Sequence, residues 1–285
     1  MDQDTASLLR ADDPSADSAT GFSERDVEDI EDRSRLRTPL IYEILRREGE
    51  EEMQRPTTSL WWSGLAAGLS VSFSLLAQGI LQSHLPDAAW RPLVASFGYS
   101  VGFLIVVLAR QQLFTENTIT VVLPIVAAPT PANVGRLGRM WGIVLTANVT
   151  GTLCAALFCS FTPAVTPELR DVMLEISHQS MQHAPIQMFF LAIPAGFLMA
   201  AMVWLIPSAE GAAFLVITLM TYLIAAGGFA HVVAGSLEAY MLVIAGQLTI
   251  GQMVSGFAVP VLLGNIAGGT VLFTLIAYAQ VAKEV

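Results

Sequence analysis

Six apolar stretches dominate this sequence, and two of them are too long to be single membrane spans. The stretches cover residues 59–83, 93–127, 137–161, 185–206, 212–246 and 253–282. A helix needs about 20 apolar residues to cross the hydrocarbon core of a bilayer. The second and fifth stretches, at 35 residues each, far exceed that length, and each carries polar residues near its middle, "RQQLFTEN" and "GGFAHVVAGSLEA" respectively. The pattern predicts an all-α membrane protein with six transmembrane helices, of which the second and fifth are broken.

The composition also indicates a membrane protein. The 285 residues are 54% hydrophobic and 13% charged, whereas a soluble domain has about 25% charged residues. Of the 24 acidic residues, 16 precede position 59, so the net charge of −10 belongs mainly to the N-terminal region. This distribution does not resemble a basic nucleic-acid-binding surface, and we expect no nucleic-acid partner.

Three regions follow from this division. Residues 1–34 are rich in Asp, Ser and Glu, which favours a disordered acidic cytoplasmic tail. Residues 35–56 are predicted to form an amphipathic cytoplasmic helix, because Leu40, Ile41, Ile44 and Leu45 fall on one helical face. The remaining residues, 57–285, form the predicted six-span pore domain.

Basic residues in the short loops predict the orientation. One side of a six-span topology carries Arg46, Arg47, Arg55, Arg136, Arg139 and Lys283, and the other carries Arg91 and Arg170. Positively charged loops stay in the cytoplasm. We therefore expect a multi-pass inner-membrane protein with both termini in the cytoplasm.

The two halves share a spacing pattern. Thr115 in the first break is followed 33 residues later by Asn148, and His231 in the second break is followed 34 residues later by Asn265. With three spans in each half, the halves have opposite orientations in the membrane. The pattern predicts an inverted repeat, in which paired broken helices are typical of a transport site.

Each asparagine begins an Asn-x-x-Gly sequence, which ends at Gly151 in the first half and at Gly268 in the second. An Asn carboxamide can both donate and accept hydrogen bonds, so Asn148 and Asn265 can brace the broken loops. The glycines, like Gly64 on the first span, allow close helix contact. The alternative is that both asparagines simply join neighbouring helices.

These motifs resemble those of the formate/nitrite transporter family. The resemblance rests on "LFT" at 113–115, "ANVTG" at 147–151, "GFAHVVA" at 228–234 and "VPVLLGNIAGG" at 259–269, and it covers roughly residues 40–282. It implies an aquaporin-like fold and a homopentamer with one pore per protomer. The implied substrates are small monovalent anions such as formate, nitrite or hydrosulfide.

The resemblance also implies roles for individual residues. His231 corresponds to the histidine at the centre of the pore, where it is hydrogen-bonded to Thr115 and exchanges a proton with the substrate. Leu113 and Phe114 match one apolar constriction, and Phe103 and Ile224 fall at the other. Because an anion pays a large desolvation penalty in an apolar slot, passage as the neutral acid is physically reasonable. A hydrogen-bonded structural histidine is the alternative.

Several positions depart from the family pattern. Gly196 and Gly235 stand where the family has asparagines, and Ala230 replaces the glutamate before the histidine. Ser180 stands where formate-conducting members have a vestibule lysine, and Gln112 replaces an acidic residue. These departures leave the substrate open.

Three charged residues have no counterpart in the resemblance. Arg110, Glu116 and Glu238 are predicted to be intramembrane charges, and a buried charge needs a partner. We expect Arg110 to pair with one of the two glutamates. The pair would brace the broken loops or a subunit interface, or Arg110 would attract anions in place of the missing lysine.

The sequence predicts a channel or transporter for small monovalent anions or their conjugate weak acids. Its expected partners are the substrate, protons, the lipid bilayer and four further copies of the chain. It shows no metal cluster, nucleotide-binding loop or nucleophile triad, so we expect no cofactor, no metal and no enzymatic activity. The alternatives are a conduit for neutral small solutes or water, and a non-transporting scaffold or sensor. Whether conduction is channel-like or proton-coupled stays open.

Overall fold

The computed structural model describes residues 36–209 and 211–284. Within these residues the chain is all-helical and contains no β-strand, which confirms the predicted all-α class. The predicted disordered tail, residues 1–34, lies outside the described residues.

The helices differ widely in length, and 3₁₀ or π-helical stretches join several of them. In chain order they are α1 (Thr38–Gln54), α2 (Thr57–Val71), α3 (Phe73–His84), α4 (Arg91–Ala95), α5 (Ser100–Leu108), α6 (Val122–Ala127), α7 (Pro131–Phe161), α8 (Pro167–Ser180), α9 (Pro185–Leu205), α10 (Ala213–Ala226), α11 (Val232–Ile244), α12 (Ile250–Gln252), α13 (Val259–Ile266) and α14 (Leu275–Val281). The 3₁₀ stretches are Ser96–Tyr99, Glu116–Thr118 and Ile206–Ser208, and the π-helical stretches are Met253–Ala258 and Ala267–Thr274.

Five helices, counted with these joining stretches, are long and apolar enough to cross a membrane. They are Thr57–His84, Arg91–Leu108, Pro131–Phe161, Pro185–Ser208 and Ile250–Val281. Three further apolar helices are shorter: Glu116–Ala127, Ala213–Ala226 and Val232–Ile244. Each of the two overlong sequence stretches thus contains a helix, a short non-helical segment and a second helix.

Threonine followed by proline starts two of the helices. Thr130 precedes Pro131 at the start of α7, and its side chain accepts a hydrogen bond from the Asn133 N–H at 3.2 Å. Thr166 precedes α8 in the same way. A capping hydroxyl satisfies an unpaired N–H of the first turn, and proline at the first position has no N–H of its own to satisfy.

Glycines allow two close helix crossings that frame the centre of the molecule. α2 packs along α7, and α9 packs along α13 and the π-helical stretch that follows it. A Cβ atom at Gly68 would overlap the carbonyl oxygen of Asn148, and one at Gly196 would overlap that of Asn265. The two crossings bring both asparagines against a neighbouring helix.

Helix α1 lies against the rest of the chain through one face. Its buried face includes Ile41, Leu45 and Met53, and a Cβ atom at Gly49 would overlap the carbonyl oxygen of Thr120. The sequence pattern included Leu40 in this face, but Leu40 is 48% exposed. The buried stripe follows a spacing of four residues, which excludes Leu40.

Candidate functional site

The first non-helical segment, residues 109–115, begins with a helix-ending turn; we call it the Thr115 segment. α5 ends at Leu108, and Arg110 takes a left-handed backbone conformation with φ +52°. The N–H of Gln111 donates to the carbonyl of Val106 at 2.9 Å, as in a Schellman motif. The following backbone groups are left without helical partners.

Asn148 on α7 supplies partners for that backbone. Its Oδ1 accepts the Phe114 N–H at 2.9 Å, and its Nδ2 donates to the carbonyl oxygens of Gln112 and Gly64, both at 2.8 Å. The side chain is fully buried. One carboxamide therefore ties the Thr115 segment to both α7 and α2.

The second non-helical segment, residues 227–231, begins with the same kind of turn; we call it the His231 segment. α10 ends at Ala226, and Gly228 has φ +62°. The N–H of Phe229 donates to the carbonyl of Ile224 at 2.9 Å. Here glycine occupies the left-handed position, which it adopts without steric strain.

Asn265 on α13 serves the His231 segment as Asn148 serves the first. Its Oδ1 accepts the Val232 N–H at 2.8 Å. Its Nδ2 donates to the carbonyl oxygens of Ala230 at 2.9 Å and Ala192 at 2.8 Å. Asn265 is also fully buried, and it ties the segment to α13 and α9.

These hydrogen bonds define which residues of the two segments correspond. The N–H groups bound by the two asparagines belong to Phe114 and Val232. The residues just before them, Leu113 and His231, therefore occupy corresponding positions. The sequence spacing instead pairs Thr115 with His231, which differs from the hydrogen-bond register by two residues.

A direct hydrogen bond joins the two segments. His231 Nε2 lies 2.7 Å from Thr115 Oγ1, and both residues are buried. The other ring nitrogen, Nδ1, accepts the Ala234 N–H at 3.2 Å and so caps the start of α11. Because this cap needs the Nδ1 lone pair, the neutral ring carries its proton on Nε2 and donates it to Thr115. Both ring nitrogens are engaged.

The four predicted constriction residues are all buried apolar side chains, and one of them contacts His231 directly. Phe103 packs edge-on against the ring of His231, with ring centres 5.1 Å apart. Leu113 and Phe114 precede Thr115 directly, and Ile224 is on α10 before the second turn. All four side chains are at most 1% exposed, and all belong to the same hydrophobic core.

Two cavities are lined by polar side chains, and these include the three charged residues that the sequence singled out. The first, of about 230 Å³, is called the His231 cavity, and its lining includes His231, Tyr99, Glu238, Ser180, Gln78 and Gln82. The second, of about 340 Å³, is called the Glu116 cavity, and its lining includes Glu116, Arg110, Gln111, Gln112, Glu48 and Glu52. The predicted charged residues are thus divided between two cavities.

The prediction that Arg110 pairs with Glu116 or Glu238 is wrong. Arg110 Nη2 pairs with Glu48 Oε1 of α1 at 2.9 Å, and the arginine side chain is 78% exposed. Glu238 lies in the other cavity, and no hydrogen bond or ion pair joins Arg110 to Glu116 within the described part of the chain. The packing of α1 brings Glu48 to a residue 62 positions later, which no local pattern indicates.

Sequence reasoning also missed several cavity residues. Gln78 and Gln82, on α3, line the His231 cavity, and Glu48 and Glu52 line the other. Both pairs are four residues apart, so each pair lies on one helical face. For Gln78 and Gln82, the sequence signal was a pair of amide side chains four residues apart within an apolar span.

Close packing explains why glycine occupies the two positions where the resemblance implies asparagine. A Cβ atom at Gly196 would overlap the backbone of Asn265. A Cβ atom at Gly235 would lie 2.7 Å from the ring of Phe257. A larger side chain requires the Asn265 backbone to move at Gly196 and the Phe257 ring to move at Gly235.

The fold and the site define a class of protein. Several helices are apolar and long enough to cross a membrane, and buried asparagines satisfy the non-helical backbone between them. Such backbone occurs at membrane depth only where protein buries it or a cavity adjoins it. Within residues 36–209 and 211–284, no three His, Cys, Asp or Glu side chains form a possible metal site. The chain is a multi-pass membrane protein with a buried polar centre.

The family follows from a direct match. The model of the formate/nitrite transporter family matches residues 39–279, and the chain belongs to that family. This confirms the resemblance found in the sequence motifs. Because the family consists of transporters, the prediction that the chain is not an enzyme is also confirmed.

Similar proteins agree with this assignment. Inner membrane protein YfdC of Escherichia coli (strain K12) is 45% identical over 90% of this chain and 83% of the relative. Formate channel FocA of Haemophilus influenzae is 26% identical over 76% of this chain and 84% of the relative. A solved pentameric formate channel with formate bound shares the fold, with a TM-score of 0.70 and 20% identity over 80% of this chain and 98% of that chain.

Proposed function

We propose that this protein is a channel or transporter for small monovalent anions of the formate/nitrite kind, or for their conjugate weak acids. His231 and Thr115 form the centre of the pore. The 2.7 Å hydrogen bond between them carries the proposal, because it joins the two non-helical segments at the end of a cavity. Family membership and the likeness to formate channels support the substrate class.

The proposed pore alternates polar and apolar zones. A substrate in the His231 cavity passes Phe103 and Ile224, reaches His231 and Thr115, and then passes Leu113 and Phe114 toward the Glu116 cavity. The apolar side chains disfavour an ionised substrate, because a lone charge there loses its hydration. Proton exchange with His231 lets the substrate pass as a neutral acid.

The proposed architecture is six transmembrane helices in an aquaporin-like inverted repeat, with the second and fifth helices broken. The matching hydrogen bonds of Asn148 and Asn265 support it. Gly151 and Gly268 brace the same loops, since a Cβ atom at either would overlap a carbonyl oxygen of the neighbouring helix.

The proposed assembly is a homopentamer in the inner membrane, with both termini in the cytoplasm. The likeness to a pentameric channel and to an inner-membrane relative supports it. Large apolar side chains such as Phe161 and Trp62, 73% and 66% exposed, suit a surface that faces lipid or another subunit. In this arrangement residues 1–34 form the tail, 35–56 the cytoplasmic helix and 57–285 the pore domain.

Flux measurements test the proposal. Proteoliposomes are assayed with formate, nitrite, hydrosulfide, acetate and lactate at two pH values, for the natural chain and His231→Ala. We expect flux of at least one weak acid that rises as pH falls and a large loss in His231→Ala. His178→Ala, an exposed histidine on α8, is the matched control and should keep full flux. No flux of any weak acid by the natural chain would contradict the proposal.

A conduit for neutral small solutes or water is the second candidate. No lysine or arginine occurs among the described residues that line the His231 cavity, so that cavity offers an anion no cationic side chain. This function predicts solute flux that depends neither on pH nor on His231. The same proteoliposomes, assayed with glycerol or by osmotic shrinkage, distinguish the two.

A further inference from the structure

We propose that Glu238 is a specificity-determining residue that keeps permanent anions out of the His231 cavity. The uncharged conjugate acid then enters the cavity in preference to its anion. This inference rests on the proposed transport function and names the form of the substrate that the cavity admits.

Glu238 and His231 lie at different depths of one cavity. His231 immediately precedes α11, and Glu238 lies on that helix seven residues later. The rise of a helix separates them by about 10 Å along its axis. Both line the His231 cavity, so a solute moving toward His231 passes the carboxyl group.

The carboxyl group is buried within a polar part of that cavity. Glu238 is 7% exposed, and it lines the cavity together with Ser180. Gln78, Gln82 and Gln179 also line the cavity and provide amide N–H donors. Groups of this kind can solvate a carboxylate.

No positive side chain offsets this negative charge in the cavity. The other ionisable groups in its described lining are Tyr99, His183 and His231, and neither Lys nor Arg occurs there. Arg110, the unexplained cation of the sequence, lines the Glu116 cavity and pairs with Glu48. Glu238 therefore carries the one carboxyl group in the described lining of the His231 cavity, and no cationic Lys or Arg accompanies it there.

A fixed negative charge discriminates by the charge of the solute. At about 10 Å in a partly solvated protein, repulsion between two unit charges lowers the occupancy of an anion on the order of tenfold. A neutral acid is unaffected. Nitrate tests this, because nitric acid is strong and nitrate stays ionised, whereas formate equilibrates with formic acid.

The experiment compares nitrate and formate entry into proteoliposomes of the full chain and its variants. We expect the natural chain to pass formate much faster than nitrate. Glu238→Gln removes the charge at nearly constant shape and should raise the nitrate-to-formate ratio on the order of tenfold. Glu238→Asp keeps the charge and should keep the ratio. Glu175→Gln removes an exposed carboxylate from neighbouring α8 and should also leave it unchanged.

Four results would overturn the inference while leaving the transport function intact. The first is equal nitrate and formate flux through the natural chain, and the second is an unchanged ratio in Glu238→Gln. The third is an equal rise of the ratio in Glu175→Gln, which would point to general surface charge. If Glu238→Gln loses both fluxes together with its oligomer on size-exclusion chromatography, Glu238 is structural and the inference is wrong. Absence of flux for formate and every other weak acid in the natural chain would instead overturn the proposed function itself.

Discussion

The Thr115 and His231 segments use the same backbone construction and differ in their side chains. Each follows a Schellman turn with one left-handed residue, and each is tied by one buried asparagine. The left-handed residue is Arg110 in the first segment and Gly228 in the second. Three residues further along the chain, the first segment has Leu113 and the second has His231. The backbone ties recur in both halves, whereas the ionisable ring occurs in one.

This difference separates two kinds of role. A residue that supports the construction should give similar effects in both halves when it is changed. A residue that serves the chemistry should give an effect in one half only. Paired substitutions therefore test whether the correspondence is real.

The largest effect is expected from the asparagines. Asn148→Ala or Asn265→Ala removes three buried hydrogen bonds and leaves backbone groups without partners, so each should destabilise the protein by about 4 kcal/mol. Thermal denaturation in detergent, followed by size-exclusion chromatography, measures this. The control is Asn133→Ala, whose side chain is at the exposed start of α7. A loss confined to one half would break the correspondence.

The glycines of the Asn-x-x-Gly sequences come next. Gly151→Ala and Gly268→Ala place a methyl group against a neighbouring backbone and should each destabilise by about 2–3 kcal/mol. Gly142→Ala, on the same helix as Gly151, has open space and should be neutral or slightly stabilising. The same denaturation assay applies. If Gly151→Ala is as stable as Gly142→Ala, the stability of the protein does not depend on the close crossing of α2 and α7.

The histidine cap predicts a difference between the halves. His231→Ala removes the cap of α11 and should cost about 1 kcal/mol, whereas His231→Asn keeps a capping side chain and most of the stability. Leu113→Ala, at the corresponding position, removes a buried side chain and has no cap to lose. We expect both histidine variants to lose weak-acid flux. Retained flux in His231→Asn would show that the cap, not the ring, matters.

The smallest effects concern the two left-handed residues. Gly228→Ala should destabilise by about 1 kcal/mol, because φ is +62°. Arg110→Gly relieves similar strain but loses the exposed ion pair with Glu48, so its net effect should be within about 0.5 kcal/mol of zero. Arg110→Gln, which loses only the ion pair, is the control. A large loss in Arg110→Gln would mean that the pair with Glu48 holds α1 in place.

The sequence predicted the features that depend on local composition. The apolar stretches, their polar middles and the two Asn-x-x-Gly sequences are all visible in one dimension, and they locate the segments. The partner of Arg110 could not be predicted, because Glu48 is brought near by the packing of α1. The correspondence between His231 and Leu113 also depends on hydrogen bonds. The sequence spacing alone pairs His231 with Thr115, two residues after Leu113. The helix-ending turn at Arg110 lacked the glycine that marks its counterpart at Gly228.

Because His231 caps α11, the backbone amide of Ala234 is sensitive to the protonation of the His231 ring. Its N–H is bound by His231 Nδ1, so a proton arriving at that nitrogen must release it. The release would accelerate hydrogen–deuterium exchange at this single amide, far more than at the next turn of the helix. Mass spectrometry of deuterium uptake at Ala234 thus follows the ring's protonation during turnover, without a substitution or an attached probe in the pore.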